Sequence, residues 1–212
     1  MSSPTDVSTY TAEARYIPDA VPAGPAQADP GPLGLAAFAL TTFVLSCFNS
    51  GIVDRKGEAA VLGLALAYGG AAQLLAGMWE FRSGNTFGAL AFTSFGAFWI
   101  SFWWLVSFGG TVSHGGVATF LLGWTIFTAY MTIAASKTSG AVLAVFVALT
   151  LTFLFLFLGE ATAKATATGL DGLTKFGGWL GLLTAVLAWY ASFAGVTNST
   201  WKRTLLPTWP RA

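Results

Sequence analysis

The sequence predicts an all-α membrane protein with six transmembrane helices. Only 9% of its 212 residues are charged, while 55% are hydrophobic, and the charges are clustered so that long stretches contain none. A soluble domain carries about 25% charged residues, whereas a hydrocarbon core of about 30 Å requires runs of roughly 20 apolar residues. The composition is therefore typical of a chain whose solvent is largely lipid.

The first 28 residues differ from the rest of the chain. They are rich in Pro, Ala, Ser and Thr, and they contain the acids Asp6, Glu13 and Asp19. A segment of this composition does not bury a hydrophobic core. We therefore expect a disordered N-terminal tail at 1–28, a six-helix membrane domain at 29–200, and a C-terminal tail at 201–212.

Five charge-free runs supply the six predicted helices. The run 83–136 is long enough for two helices, and its glycine-rich middle, residues 109–116, indicates a turn between helices at about 86–108 and 116–135. Each of the other runs supplies one helix, at 30–53, 59–79, 138–159 and 176–201. An even number of helices places both termini on one side of the membrane.

Basic residues between the helices predict the orientation. The side that holds the termini carries Arg15, Arg82, Lys137, Lys202, Arg203 and Arg211, and the other side carries Arg55, Lys56, Lys164 and Lys175. Lys and Arg are enriched in cytoplasmic loops. The excess therefore favours cytoplasmic termini in a multi-pass protein of the cell membrane.

Several classes of function are disfavoured by what the chain lacks. Its sole cysteine, Cys47, and sole histidine, His114, provide no disulfide and no thiol or histidine cluster for a metal. No lysine lies inside a predicted helix to hold a cofactor, no nucleophile motif surrounds a serine, and a net charge of +1 gives no reason to expect nucleic acid. We predict no enzyme activity, cofactor or metal.

Acidic residues near the helices are predicted to lie at helix ends. Glu58 precedes the second helix, Glu80 follows it, and Glu160 closes the fifth, so the sequence predicts no buried acid that powers transport. His114 falls in the predicted turn and is expected to be an exposed loop residue. Its alternative role is that of a pH sensor at a pore mouth, because histidine changes charge near neutral pH.

Hydroxyl and amide side chains within the helices allow two interpretations. They either bond to their own helix or to a neighbouring helix, or they replace part of the water around a small polar solute. The residues that we assign to a substrate path on the second interpretation are Thr41, Thr42, Asn85, Thr93, Ser94 and Thr150.

The first helix is preceded by the heptapeptide Asp29-Pro30-Gly31-Pro32-Leu33-Gly34-Leu35. An acid followed by prolines is typical of a helix start. A helix start also presents free N–H groups that attract anions, although an ionised Asp29 opposes that attraction. Both interpretations stay open from the sequence.

Two blocks of sequence resemble a known family. Residues 29–35 resemble the signature Asn-Pro-Ala-Pro-Leu-Gly-Leu of the acetate uptake transporter family, which includes bacterial succinate–acetate permeases and yeast acetate transporters. A closer match is Gly-Met-Trp-Glu-Phe-Arg-Ser-Gly-Asn-Thr-Phe-Gly at 77–88, which continues through 91–99. The resemblance covers about residues 29–207. It implies a six-helix protomer in a homohexamer, with a path for acetate or a similar small carboxylate through each protomer.

The resemblance also implies a constriction formed by a Phe, a Tyr and a Leu. The matching positions are Phe38, Phe95 and Leu149, so the tyrosine hydroxyl of the family is absent here. Ala188 matches a position associated with substrate size. A further departure is Asp29, which replaces the asparagine of the signature.

Transport is predicted to be channel-like or accompanied by a proton. An apolar constriction disfavours a bare carboxylate, because desolvating a charge is costly. Two alternatives remain: a channel for a neutral solute such as urea or ammonia, and a membrane receptor or scaffold that transports nothing.

Overall fold

A computed structural model describes residues 27–163 and 171–211, apart from the side chain of Arg55. These ranges contain six helices that are long and apolar enough to cross a membrane, which confirms the predicted fold class. The helices are α1 Gly31–Ser50, α2 Ala60–Arg82, α3 Thr86–Phe108, α4 His114–Ala135, α5 Gly140–Thr162 and α6 Gly172–Trp201. The predicted N-terminal tail falls outside the described residues up to residue 26.

Side-chain caps determine where four of the helices begin. Asn85 accepts a hydrogen bond from the Gly88 N–H at the start of α3, and Ser113, Ser139 and Asp171 cap α4, α5 and α6 in the same manner. Such caps satisfy N–H groups that lack a partner within the helix. Helices α4 and α6 consequently begin slightly earlier than their apolar runs predict.

Helix α2 contains a wider turn in its middle. Residues Ala67–Ala72 form a π-helical segment between the α-helical stretches Ala60–Leu66 and Gln73–Arg82. A Cβ atom at Gly69 would lie 2.5 Å from the Thr41 hydroxyl oxygen, so a glycine is needed for α1 and α2 to approach this closely. The small residues of α2 therefore serve close helix packing at this point.

The structure corrects the prediction for Glu80. This residue was predicted to follow the second helix, but it lies within the last turn of α2. It is 2% exposed, so the prediction that no acid is buried is also wrong. Its Oε2 accepts a hydrogen bond from Asn85 Nδ2 at 2.9 Å. The charge pattern misplaced the helix end because a bond to a later residue holds the carboxyl inside the protein.

The helices pack around α6 and α1. Helix α6 lies between α1 and α5, α4 packs on α5, and α2 and α3 form a pair that contacts α1. Helices α3 and α4 are joined through aromatic side chains, including Phe95 with Trp124 and Phe98 with Phe120. We call the end at which α1, α3 and α5 begin the terminal end, and the other the opposite end.

The residues predicted to form a C-terminal tail pack on the terminal end as far as Arg211. The N–H groups of Gly140 and Ala141 donate to the carbonyl oxygens of Trp209 and Thr208, at 2.8 and 3.2 Å. The Tyr190 hydroxyl donates to the Pro207 carbonyl at 2.6 Å. The segment thereby satisfies N–H groups that the start of α5 leaves open.

Candidate substrate path

A cavity of about 370 Å³ occupies the half of the bundle nearer the opposite end. It is bordered by α1, α3, α4, α5 and the start of α6, and its lining mixes apolar and polar side chains. Its polar lining residues in α1 and α5 are Thr42, Ser46, Asn49, Thr152 and Glu160. The cavity therefore runs from the opposite end to the middle of the predicted membrane span.

Apolar side chains close the inner end of the cavity. Phe38 and Leu149 line it and are 4% and 3% exposed. Phe95 packs on Phe38 with ring centroids 5.7 Å apart, and both belong to one buried cluster with Leu149 and Ala188. The three residues predicted to form the constriction are thus adjacent, and the predicted size-selecting alanine contacts the same cluster.

Two buried polar atoms on the cavity side of this constriction have no partner among the described residues. They are Thr42 Oγ1 and Trp99 Nε1, and both side chains line the cavity. Thr42 follows Phe38 by one helical turn, and Trp99 follows Phe95 by one turn, so both face the cavity side of the constriction. Because an unpaired buried donor is costly, this pair is suited to a ligand that accepts hydrogen bonds.

Acidic side chains mark the mouth of the cavity, which we define by Glu58 and Glu160. The Nδ1 atom of His114 lies 2.7 Å from Glu160 Oε2, and the side chains are 54% and 24% exposed. His114 is exposed, as predicted, but it is the first residue of α4 rather than a loop residue. An approaching carboxylate is repelled by ionised acids here, whereas a neutral acid is not.

The other predicted path residues have different surroundings. The Thr41 hydroxyl donates to the Ala37 carbonyl at 2.9 Å and packs against Gly69, away from the cavity lining. Thr150 bonds to Thr132 of α4 at 2.8 Å. Asn85 caps α3 at the terminal end. For these three, the interpretation that hydroxyls and amides join helices describes the observed contacts.

Thr93 and Ser94 lie on α3 beside the constriction. The Thr93 hydroxyl oxygen is buried without a partner among the described residues and packs against Gly77 of α2. Ser94 is half-buried. Neither residue lines the cavity. Of the six predicted polar path residues, Thr42 is the one that the cavity includes.

The signature heptapeptide anchors α1 at the terminal end. Asp29 Oδ1 accepts from the Gly31 N–H at 2.8 Å, and the Pro32 carbonyl accepts from the Ser192 hydroxyl at 2.6 Å. A Cβ atom at Gly34 would lie 2.7 Å from the ring of Phe92. Pro30 precedes the first helical residue, and Leu33 is 47% exposed. The heptapeptide thus holds α1 against α3 and α6.

Trp99, Glu58 and Glu160 were not predicted as site residues. Tryptophan in an apolar helix is typical of packing, and its polar atom becomes informative only when the structure leaves that atom unpaired. A signal was present in the spacing, because Trp99 stands one helical turn from Phe95. The acids were predicted at helix ends, but their approach to one cavity depends on tertiary packing.

The relatives found in comparisons of the sequence include three proteins whose names describe transport. Acetate permease A of Emericella nidulans is 42% identical over 187 residues, which cover 82% of this chain and 63% of that protein. Ammonia transport outward protein 2 of Saccharomyces cerevisiae is 42% identical over 181 residues, covering 81% and 62%. The succinate-acetate/proton symporter SatP of Escherichia coli is 34% identical over 185 residues, covering 85% and 94%. The chain spans about three fifths of the length of the two fungal relatives.

The fold matches that of a solved relative. The structure of the bacterial acetate channel SatP superimposes with a TM-score of 0.78 at 34% sequence identity, and the match covers 86% of this chain and 99% of that one. Residues 15–210 match the model of the GPR1/FUN34/yaaH family. These matches confirm the resemblance inferred from the two sequence blocks: the chain is a multi-pass membrane protein that belongs to the GPR1/FUN34/yaaH family.

Proposed function

We propose that this protein carries acetate and related short monocarboxylates across the cell membrane, accompanied by a proton. The observation that carries the proposal is the cavity, which ends at an apolar constriction and has unpaired Thr42 Oγ1 and Trp99 Nε1 atoms beside it. Similarity to proteins named acetate permease, acetate channel and succinate-acetate/proton symporter supports the same substrate class. We further propose a homohexamer with cytoplasmic termini, acting without an enzymatic step.

The size and polarity of the site favour a short acid with one carboxyl group. The indole N–H and the threonine hydroxyl offer two donors, enough for the two oxygens of one carboxyl group. Phe38 and Leu149 then meet the short apolar end of the substrate. A second carboxyl group would enter the apolar constriction without a partner, which costs several kcal/mol.

The surroundings favour the neutral acid over the bare anion. The constriction is apolar and lacks a hydroxyl, because phenylalanine stands at position 95. A proton lowers the cost of crossing it, since a protonated carboxyl group is neutral and is desolvated at lower cost. The relative named as a proton symporter agrees with this form of transport.

The test is uptake of radiolabelled acetate into liposomes that contain the purified protein, with an imposed pH gradient. We expect uptake above that of empty liposomes, competed by propionate more strongly than by succinate or urea. Equal rates with and without the protein would contradict transport and favour a receptor or scaffold.

A channel for neutral ammonia is the second candidate. It is favoured by the relative named ammonia transport outward protein 2 and by the apolar constriction. Ammonia release from loaded liposomes distinguishes the two candidates. An ammonia path predicts protein-dependent release that acetate does not slow. A monocarboxylate path predicts release no faster than from empty liposomes, together with saturable uptake of acetate.

A further inference from the structure

The buried acid Glu80 lies on the far side of the constriction from the cavity. Its side chain is among the least exposed of the described residues, at 2%. Among the described residues, its carboxyl group accepts one hydrogen bond, from Asn85 Nδ2 at 2.9 Å. A buried acid of this kind within a membrane span is a candidate for proton transfer.

The carboxyl group of Glu80 faces the first turns of two other helices. A Cβ atom at Gly31 of α1 would lie 3.5 Å from Glu80 Oε1, and one at Gly88 of α3 would lie 2.8 Å from the same atom. Asn85, which donates to Glu80 Oε2, also accepts from the Gly88 N–H at 3.0 Å. Glu80 therefore occupies the space between the starts of α1 and α3.

The same faces of these helices carry the aromatic part of the constriction. Gly31 precedes Phe38 by seven residues, and Gly88 precedes Phe95 by the same number. Seven residues make about two helical turns, so each pair shares one face of its helix and is separated by about 10 Å of rise. Glu80 consequently lies on the terminal side of the Phe38–Phe95 contact, about two helical turns away.

The charges around Glu80 do not neutralise an ionised carboxylate. Asp29, the acid before α1, interacts with it electrostatically and has the same sign. Within the described ranges, no Lys or Arg forms an ion pair with Glu80, and Arg82 of the same helix is exposed. Burying an unpaired carboxylate is costly, and binding a proton removes that cost.

We propose that Glu80 is the proton-binding group of the substrate path, an inference that rests on the proposed function. Glu80 binds a proton from water at the terminal end and donates it to an oxygen of a carboxylate that enters from that end and has not yet reached the constriction. The neutral acid then crosses the constriction and leaves through the cavity, and Glu80 stays ionised until it binds the next proton from the terminal end. In the reverse direction, the neutral acid arrives from the cavity and gives its proton to ionised Glu80, which releases it to water at the terminal end. One proton therefore crosses with each monocarboxylate in either direction.

The first experiment compares the pH dependence of acetate uptake by Glu80→Gln and by the wild type in liposomes. Glutamine keeps an acceptor for Asn85 but binds no proton in this range. We expect wild-type uptake to fall severalfold between about pH 5.5 and 7.5, and the fall to become at least about threefold steeper in the variant, which carries only acid that is already protonated in water. The matched control is Asp54→Asn, an exposed acid at the opposite end, which should follow the wild type.

A Glu80→Gln profile that superimposes on that of the wild type after scaling overturns the proposal, whatever the absolute rate. A second measurement uses the wild type alone, with dicyclohexylcarbodiimide, which modifies protonated carboxyl groups in apolar surroundings. Mass spectrometry should find Glu80 modified at about pH 5 and modified severalfold less at about pH 8, with acetate reducing the modification. Modification of Glu80 that is absent, or equal at both pH values, overturns the proposal. If the wild type moves no acetate, the proposed function fails while this labelling still reports proton binding.

Discussion

The two ends of the bundle hold acidic side chains in different surroundings. At the opposite end, Glu160 is partly exposed, pairs with His114 and borders an open cavity. At the terminal end, Glu80 is buried beneath the starts of α1 and α3, and the residues around Pro207 to Arg211 cover the start of α5. A glutamate side chain is thus partly exposed at one end and buried between helix starts at the other. The comparison teaches that a cavity connects the constriction to one end of the bundle, whereas packed side chains separate it from the other end.

The tight packing of the terminal end is tested most strongly by Gly88→Ala. The added Cβ atom would lie 2.6 Å from Asn85 Nδ2 and 2.7 Å from Glu80 Cδ. We expect a loss of about 1–3 kcal/mol in the free energy of unfolding, as for other overpacked sites, measured by thermal unfolding in detergent. The control is Gly123→Ala, whose Cβ atom meets nothing within 4 Å. Equal stability of the two variants would contradict the close contact.

The separation of the two ends by the constriction is tested by Leu149→Ala. Removing this side chain from the floor of the cavity widens the apolar closure, so we expect propionate uptake to rise about tenfold relative to acetate uptake, equivalent to about 1.4 kcal/mol. Paired uptake assays measure the ratio. Leu151→Ala, two residues along the same helix and 39% exposed, should leave the ratio unchanged. An unchanged ratio in Leu149→Ala would mean that the constriction lies elsewhere.

The polar site beside the constriction is tested by Trp99→Phe. This change retains a ring but removes the Nε1–H donor. Loss of one hydrogen bond of about 0.5–1.5 kcal/mol raises the acetate concentration for half-maximal uptake by about two- to tenfold, with little effect on the maximal rate. Thr41→Val, which removes a hydroxyl outside the cavity lining, is the control. The assignment is wrong if both variants show the same half-saturation as the wild type.

The smallest expected effect concerns the mouth. His114→Gln removes the partner of Glu160 at the mouth, so we expect acetate uptake to fall by about two- to threefold, because exposed ion pairs are weak. Glu160→Gln removes the partner of His114, and the double variant should then match Glu160→Gln alone. Uptake that depends on His114 in the Glu160→Gln background would show that the pair does not act together.

Part of the site was predictable because the family resemblance implies it. Phe38, Phe95 and Leu149 were predicted as one constriction, and the structure places them in one buried cluster. Thr42 was predicted together with Thr41, but the two adjacent side chains have different surroundings. Adjacent helical residues point about 100° apart, and the sequence does not say which direction faces the cavity.

The sequence alone determined the membrane fold and the positions of the helices. Charge-free length and the glycine-rich turn at 109–116 are local properties of the chain, and each predicts a helix or its end without reference to other helices. Tertiary structure alone decided that Glu80 is buried, that Trp99 and Thr42 meet one cavity, and that His114 pairs with Glu160. Those relations depend on how each helix is rotated against its neighbours, which packing of the whole bundle sets.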